Sequence, residues 1–183
     1  MKGHSEFETI AKVLIMALIL IVSVWFCYYI ATEKSANPGD YIVKSAPLKE
    51  ASLDYINKVR QQFQKGEIAF DERVYNLAAA RLNDLIAYDY FDHTNPYTKT
   101  CADSMKKAFG LSSDEYVAEN IFAYTNENKE DIAKTAVEAW LNSIGHRANL
   151  LYDHASGAMA CNENMCVFLG LNHDGYGKGC YRA

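Results

Sequence analysis

Apolar residues recur at spacings of three and four in two stretches of the chain, separated by the break KGEIAF at residues 65–70. In the first stretch these positions are Leu53, Ile56, Val59 and Phe63, and in the second they are Val74, Leu77, Ala78, Leu82 and Leu85. That spacing collects apolar side chains on one face of an α-helix. The pattern therefore predicts two amphipathic helices that pack against a common core.

Further along the chain the pattern changes from helical to strand-like. Helices are predicted over residues 98–110, ending at Gly110, and over residues 128–143, with Trp140 in the apolar stripe. The β-formers of EYVAENIFAY, at residues 115–124, predict a strand. Two apolar runs around NEN, within residues 157–172, predict a hairpin. This order predicts an α+β domain in which helices cover a small, mostly antiparallel sheet.

A long apolar run near the N-terminus has a different character. Residues 13–31 carry no charge, and a helix of this length can cross a bilayer. The run ends in bulky residues, with Trp25, Tyr28 and Tyr29 suited to the membrane interface, which favours an uncleaved anchor over a signal peptide.

The anchor divides the chain into four predicted parts. Residues 1–12 are a short N-terminal tail and residues 13–31 the transmembrane anchor. Residues 32–47 contain two prolines and a Pro-Gly pair without periodicity, which is typical of a linker. Residues 48–183 form the folded domain.

Charge excludes one class of partner. The chain has 183 residues, a formal net charge of −5 and a pI near 5.5, and its lysines and arginines are scattered among acidic residues. A nucleic-acid partner is therefore not expected.

Four cysteines lie in the predicted domain, and an even number is typical of an oxidising compartment outside the cell. Cys161 and Cys166 flank the hairpin turn and can lie opposite each other. Cys101 and Cys180 are then the remaining pair. Reduced thiols are the alternative for both pairs. The anchor and the cysteines together predict a single-pass membrane protein with its domain outside.

Four short motifs carry the chemistry: YFDHTNP at residues 90–96, VAENIF at 117–122, AWLNSIGHRANLL at 139–151 and ACNENMCVFLGL at 160–171. In this order they resemble the CAP superfamily, whose SCP domain occurs in cysteine-rich secretory proteins, antigen 5 and pathogenesis-related proteins, and most of all its prokaryotic branch. The resemblance implies a three-layer α-β-α sandwich with a cleft. In many members that cleft holds two histidines and two glutamates able to bind a divalent metal.

The resemblance transfers to this chain only in part. His93 matches the first histidine and Glu119 the glutamate of the GEN motif. Ser143 stands where eukaryotic members have the second glutamate, and no histidine occurs near residues 166–168. His146 is a substitute if the helix continues past Ser143, whereas a helix ending at Gly145 directs it elsewhere.

A cluster of His93, Glu119 and His146 can activate a water molecule, or bind zinc with an open coordination position. No nucleophile motif accompanies it. Structural alternatives are a turn role for His93 and a solvated strand edge for Glu119. The leading hypothesis is a non-catalytic module that binds a lipid, a peptide or another ligand of the cell envelope. A His/Glu-based or metal-assisted hydrolase, in particular a peptidase, and a partner-binding scaffold are the alternatives.

Overall fold

The computed structural model describes residues 16, 21–23, 49–124 and 131–180. The chain divides into two compact units, residues 1–40 and 41–183. Most of the predicted tail, anchor and linker lies outside the described residues. Within the described residues, no helix has the length and apolar character needed to cross a membrane.

The second unit contains five α-helices and four strands among its described residues. The helices are α1 (Lys49–Gln62), α2 (Glu72–Ala87), α3 (Ala102–Met105), α4 (Ile132–Leu141) and α5 (Ile144–Leu150), and a 3₁₀ segment (Lys106–Phe109) follows α3. The strands are β1 (Ala69–Phe70), β2 (Tyr116–Ala123), β3 (Ser156–Cys161) and β4 (Met165–Asn172). The mixture of helix and sheet that the sequence predicts is therefore confirmed.

The four strands form one sheet in the order β1-β3-β4-β2. β3 and β4 form the predicted antiparallel hairpin, and β2 pairs antiparallel with β4 from Tyr116 to Ala123. β1 pairs parallel with β3 through two residues and lies inside the segment predicted as a break. A strand of two residues is too short to show a period, so the apolar pattern does not reveal it.

Alternation along the strands gives each face of the sheet its own apolar core. On β4, Val167 and Leu169 contribute to the core under α2, whereas Cys166 and Phe168 contribute to the core under α1 and α4. The sheet thus lies between two helical layers, because successive side chains of a strand point to opposite faces. β2 lies at one edge of this sandwich.

The predicted apolar stripes are buried with one exception. All five predicted positions of α2 are fully buried, and Leu53, Ile56 and Val59 of α1 are at most 5% exposed. Phe63 is 46% exposed because α1 ends at Gln62. The apolar spacing predicts a helix that extends one residue beyond its observed end.

Both predicted disulfides are present. Cys161 and Cys166 join the two strands of the hairpin, where they form a register pair. Cys101, at the start of α3, is bonded to Cys180 near the C-terminus.

Candidate functional site

The loop that carries His93 follows α2 and is fixed by a fully buried asparagine. The side-chain oxygen of Asn95 accepts hydrogen bonds from the backbone N–H groups of Tyr97 (2.8 Å) and Thr98 (3.0 Å). Its Nδ2 donates to Asp84 of α2 at 2.9 Å. The turn predicted from the sequence is therefore present, and α2 anchors it.

Arg81 of α2 connects this loop to the sheet. Its guanidinium is fully buried, and Nη2 donates to the backbone oxygen of Asp92, the residue before His93, at 2.6 Å. Nε lies 2.8 Å from Oε2 of Glu119, and Nη1 lies 2.9 Å from Asp84. Although burial opposes protonation, the carboxylate of Glu119, the hydrogen bond with Tyr90 and the carboxylate of Asp84 raise the pKa of Arg81 above its ordinary value. Arg81 is a permanent cation between two carboxylates.

Glu119 of β2 links Arg81 to His93. Its side chain is 7% exposed, and Oε1 lies 2.9 Å from Nδ1 of His93. A carboxylate accepts hydrogen bonds, so Nδ1 of His93 carries a proton and donates it to this hydrogen bond. Glu119 therefore does not lie on a solvated strand edge. It orients His93.

Ser143 and His146 approach from the opposite helical layer. α4 ends at Leu141, and Ser143 occupies the N-cap of the separate helix α5, yet its side chain makes no capping hydrogen bond. Gly145 lies within the first turn of α5, so it neither continues α4 nor terminates a helix. The imidazole of His146 lies with its centroid 6.3 Å from that of His93. Burial, followed by the neighbouring His93, lowers the pKa of His146 and favours its neutral form.

A chain of buried amides supports α5. Asn149 Nδ2 donates to Oδ1 of Asn120 on β2, and Asn120 Nδ2 donates to the backbone oxygen of His146, both at 2.9 Å. His154 Nε2 lies 2.9 Å from the backbone oxygen of Asn149 and 3.0 Å from its side-chain oxygen. Asn120 therefore has a structural role, because it holds the backbone that carries His146.

A cleft of about 330 Å³ lies at the β2 edge of the sandwich. His93, Glu119, Ser143 and His146, which the sequence singled out, all lie in its wall. The other lining residues are Ala118, Asn120, Gly145, Asn149 and Tyr176.

Comparison with known proteins identifies the fold and the family. The sequence model of the cysteine-rich secretory protein (CAP) family matches residues 53–165. The chain belongs to the CAP family. It is 34% identical over 122 residues to YkwD of Bacillus subtilis strain 168, a protein described as uncharacterized. That match covers 66% of this chain and 45% of YkwD, so the chain spans less than half of its relative's length.

Solved structures have the same fold as this CAP domain. An extracellular SCP-domain protein from Bacillus anthracis is 22% identical with a TM-score of 0.54, over 70% of this chain and 45% of the other. An outer surface protein from Borrelia burgdorferi is 18% identical with a TM-score of 0.52, over 69% of this chain and 96% of the other. The prokaryotic CAP fold inferred from the motifs is confirmed.

The side chains of the CAP cleft do not fit the metal site that the resemblance implies. Among residues 49–124 and 131–180, no three His, Cys, Asp or Glu side chains are grouped to hold a metal ion. Glu119 is paired with Arg81, and Nδ1 of His93 contacts Glu119. A zinc ligand set needs three or four donors that point to one position, and these donors already contact each other.

Three side chains of the CAP domain were not assigned a role from the sequence. Arg81 interrupts the apolar stripe of α2. A cation on a buried face needs a carboxylate partner, so the position of Arg81 in the stripe indicates a buried ion pair. Tyr176 lies beyond the motifs, and His154 lies in a polar segment but is 7% exposed. Neither has a local signal, since each is brought into place by distant parts of the chain.

His154 gives the CAP domain an acid-sensitive step in stability. Burial, with Arg60 acting in the same direction, lowers its pKa from 6.5 to about 4. Between pH 6.5 and about pH 4 the unfolded state binds more protons at this histidine than the folded state does. The contribution of His154 to the free energy of unfolding is therefore complete above pH 6.5 and is lost as pH falls towards 4. We expect the free energy of unfolding to decrease by up to about 1.4 kcal/mol per pH unit in this window.

Urea unfolding at several pH values measures this slope, and His154→Gln should flatten it because glutamine does not titrate. His173→Gln is the matched control, since His173 is exposed. A His154→Gln variant with the wild-type slope would contradict the assignment.

Proposed function

We propose that this CAP domain is a ligand-binding module at the cell envelope, held at the membrane by residues 13–31, and that the ligand occupies the cleft between His93 and His146. The observation that carries the proposal is the convergence of both histidines and Ser143 on one cleft of about 330 Å³. This volume lies at the lower end of the range for small-ligand pockets.

The ion pairs of the cleft fix the positions of its polar groups. Arg81 compensates the charge of Glu119, which in turn fixes the ring of His93. The orientation of both groups is therefore set before a ligand arrives. Preorganised hydrogen-bonding groups bind better, because less side-chain entropy is lost on association.

The two disulfides and the surface or extracellular neighbours support a position outside the cell. The uncharged run at residues 13–31 supports the single-pass anchor. A domain tethered in this way meets ligands of the membrane surface or of the cell wall.

Calorimetric titration of the full chain in dodecyl maltoside tests the proposal. The probes are muropeptides from digested peptidoglycan, a mixed peptide library and short-chain phosphatidylglycerol. We expect one class to bind, and His93→Ala to weaken its binding about tenfold through loss of one hydrogen bond. The control His173→Ala should bind as the wild type does. Absence of binding in all three arms, or binding that is indifferent to His93→Ala, would contradict the proposal.

A second function is favoured by one contact. The 2.9 Å pair of Glu119 and His93 has the arrangement in which a carboxylate orients an imidazole that acts as general base. His93 would then take a proton from a water molecule that attacks a peptide bond. The chain's own side chains supply this base without a metal ion.

This hydrolase hypothesis predicts cleavage of library peptides by the full chain, with losses of about a hundredfold or more in His93→Ala. Glu119→Gln should reduce the rate while leaving the imidazole present. Zinc content, measured in protein purified without chelator, tests the metal-assisted version. No cleavage across the library, with no stoichiometric zinc, would eliminate both versions.

A further inference from the structure

The C-terminal segment of the described chain closes one side of the cleft. We call residues 173–180 the strap; it follows β4 and lies beyond residue 165, where the family match ends. The buried side chain of Asn172 shapes its first turn. Oδ1 accepts from the N–H groups of Gly175 (3.2 Å) and Tyr176 (3.0 Å), and Nδ2 donates to the backbone oxygen of Tyr176 at 2.8 Å.

The strap packs directly on β2 beside the cleft. Gly177 has a φ of 79°, and a Cβ atom at this position would lie 2.6 Å from both Cα of Ala118 and the backbone oxygen of Val117. Only glycine permits this approach. The contact lies one residue before Glu119 and brings the preceding Tyr176 to the cleft wall.

Two sets of contacts fix Tyr176: its ring packs on another aromatic ring, and the end of the strap is bonded to the start of α3. It stacks on Tyr152, with ring centroids 3.9 Å apart and an interplanar angle of 9°. The end of the strap is bonded through Cys180 to Cys101, and the N–H of Gly179 donates to Asp103 at 2.8 Å. Contacts to three other parts of the chain thus hold Tyr176, and Tyr176 belongs to the residues that line the cleft.

The lining of the cleft selects a chemical class of ligand. Among the residues that the structure describes, no lysine, arginine or large aliphatic side chain belongs to the lining, whose apolar members are Ala118 and Gly145. The lining offers an anionic ligand no lysine or arginine to pair with. It offers an acyl chain mainly imidazole and amide groups, which are polar. Neither ligand class matches the lining. Glu119, the acidic residue of the lining, is paired with Arg81, whose Nε lies 2.8 Å from its Oε2.

We infer that the cleft binds a neutral saccharide and that Tyr176, positioned by the strap, is the residue against which the sugar ring packs. A sugar presents hydroxyl groups along its rim and C–H groups on its face, which match hydrogen-bonding side chains beside an aromatic wall. This inference rests on the proposed function and names its ligand class.

Titration calorimetry of the full chain in dodecyl maltoside, with neutral trisaccharides of N-acetylglucosamine, glucose and mannose, tests the ligand class. At least one should bind, with affinity reduced about tenfold in Tyr176→Ala and retained in Tyr176→Phe. Tyr97→Ala is the matched control, because Tyr97 is a 69% exposed tyrosine outside the cleft. Binding unaffected by Tyr176→Ala overturns the inference. So does binding of peptide or lipid without binding of any trisaccharide, which leaves the proposed function standing.

A second measurement tests the cleft wall without any ligand. Diethyl pyrocarbonate modifies accessible imidazoles, and mass spectrometry gives the rate for each histidine. Modification of His93 and His146 should accelerate several-fold in Tyr176→Ala and in the double variant Cys101→Ala/Cys180→Ala, but not in Tyr97→Ala. Unchanged modification rates of His93 and His146 in Tyr176→Ala would show that Tyr176 does not cover the cleft and would overturn its proposed role. This result is independent of whether any probe binds.

Discussion

Arg81→Met is expected to lower the free energy of unfolding by about 3 to 5 kcal/mol, the range for removing one partner of a buried ion pair. The guanidinium is fully buried, and its loss leaves Glu119, 7% exposed, and Asp84, 13% exposed, without their cation. Methionine keeps much of the apolar stem, so the loss reports mainly on the charge. Urea unfolding at pH 7, followed by circular dichroism, measures it.

Arg73 provides the matched control on the same helix. It pairs with Asp71 and Glu115, but its side chain is 44% exposed. Solvent screens such pairs, so Arg73→Met should cost no more than about 1 kcal/mol. The double variant Arg81→Met/Glu119→Gln should recover part of the loss, because the uncompensated carboxylate is removed. Equal costs for Arg81→Met and Arg73→Met would refute the assignment of Arg81 as the central cation.

The second large effect concerns the disulfide that holds the strap. Cys101→Ala/Cys180→Ala is expected to lower the free energy of unfolding by about 4 kcal/mol, because the lost cross-link restricts a long segment of the unfolded chain. The two cysteines are separated by 79 positions in the sequence. Urea unfolding under non-reducing conditions measures the change.

The other disulfide allows the loop-length argument to be checked in the same chain. Cys161 and Cys166 are separated by 5 positions, so Cys161→Ala/Cys166→Ala should cost about 2 kcal/mol through this mechanism. The order of the two costs is the test. A larger loss from the short-loop pair would show that local packing of the hairpin, rather than loop entropy, dominates.

The cleft gathers residues that the sequence identified through different kinds of signal. His93 and Glu119 were found because their motifs resemble those of a known family, and the structure places them in contact at 2.9 Å. Ser143 and His146 line the same cleft, although neither of the two predicted helix paths between them is correct. A new helix begins at Ile144, with Ser143 as its N-cap. The local apolar pattern cannot mark this break, because α4 and α5 are separated by only Asn142 and Ser143.

Tyr176 illustrates what local patterns leave out. Its position depends on a backbone approach at Gly177, a stack on Tyr152 and a covalent link to Cys101, which are distant from one another in the sequence. The cysteine count predicted the link. It did not indicate that the linked segment contributes Tyr176 to the lining of the same cleft as Glu119.

By itself, the sequence determined the main helices and strands, the two disulfides and the membership of the CAP family. Periodicity of 3.6 or 2 records which face of an element is buried, and the motifs record local turns. Only the tertiary structure decided that Arg81 pairs with Glu119, that His154 is buried and that Tyr176 lines the cleft. These are pairings between elements, and their energies depend on distance and burial, which exist only after the layers have packed.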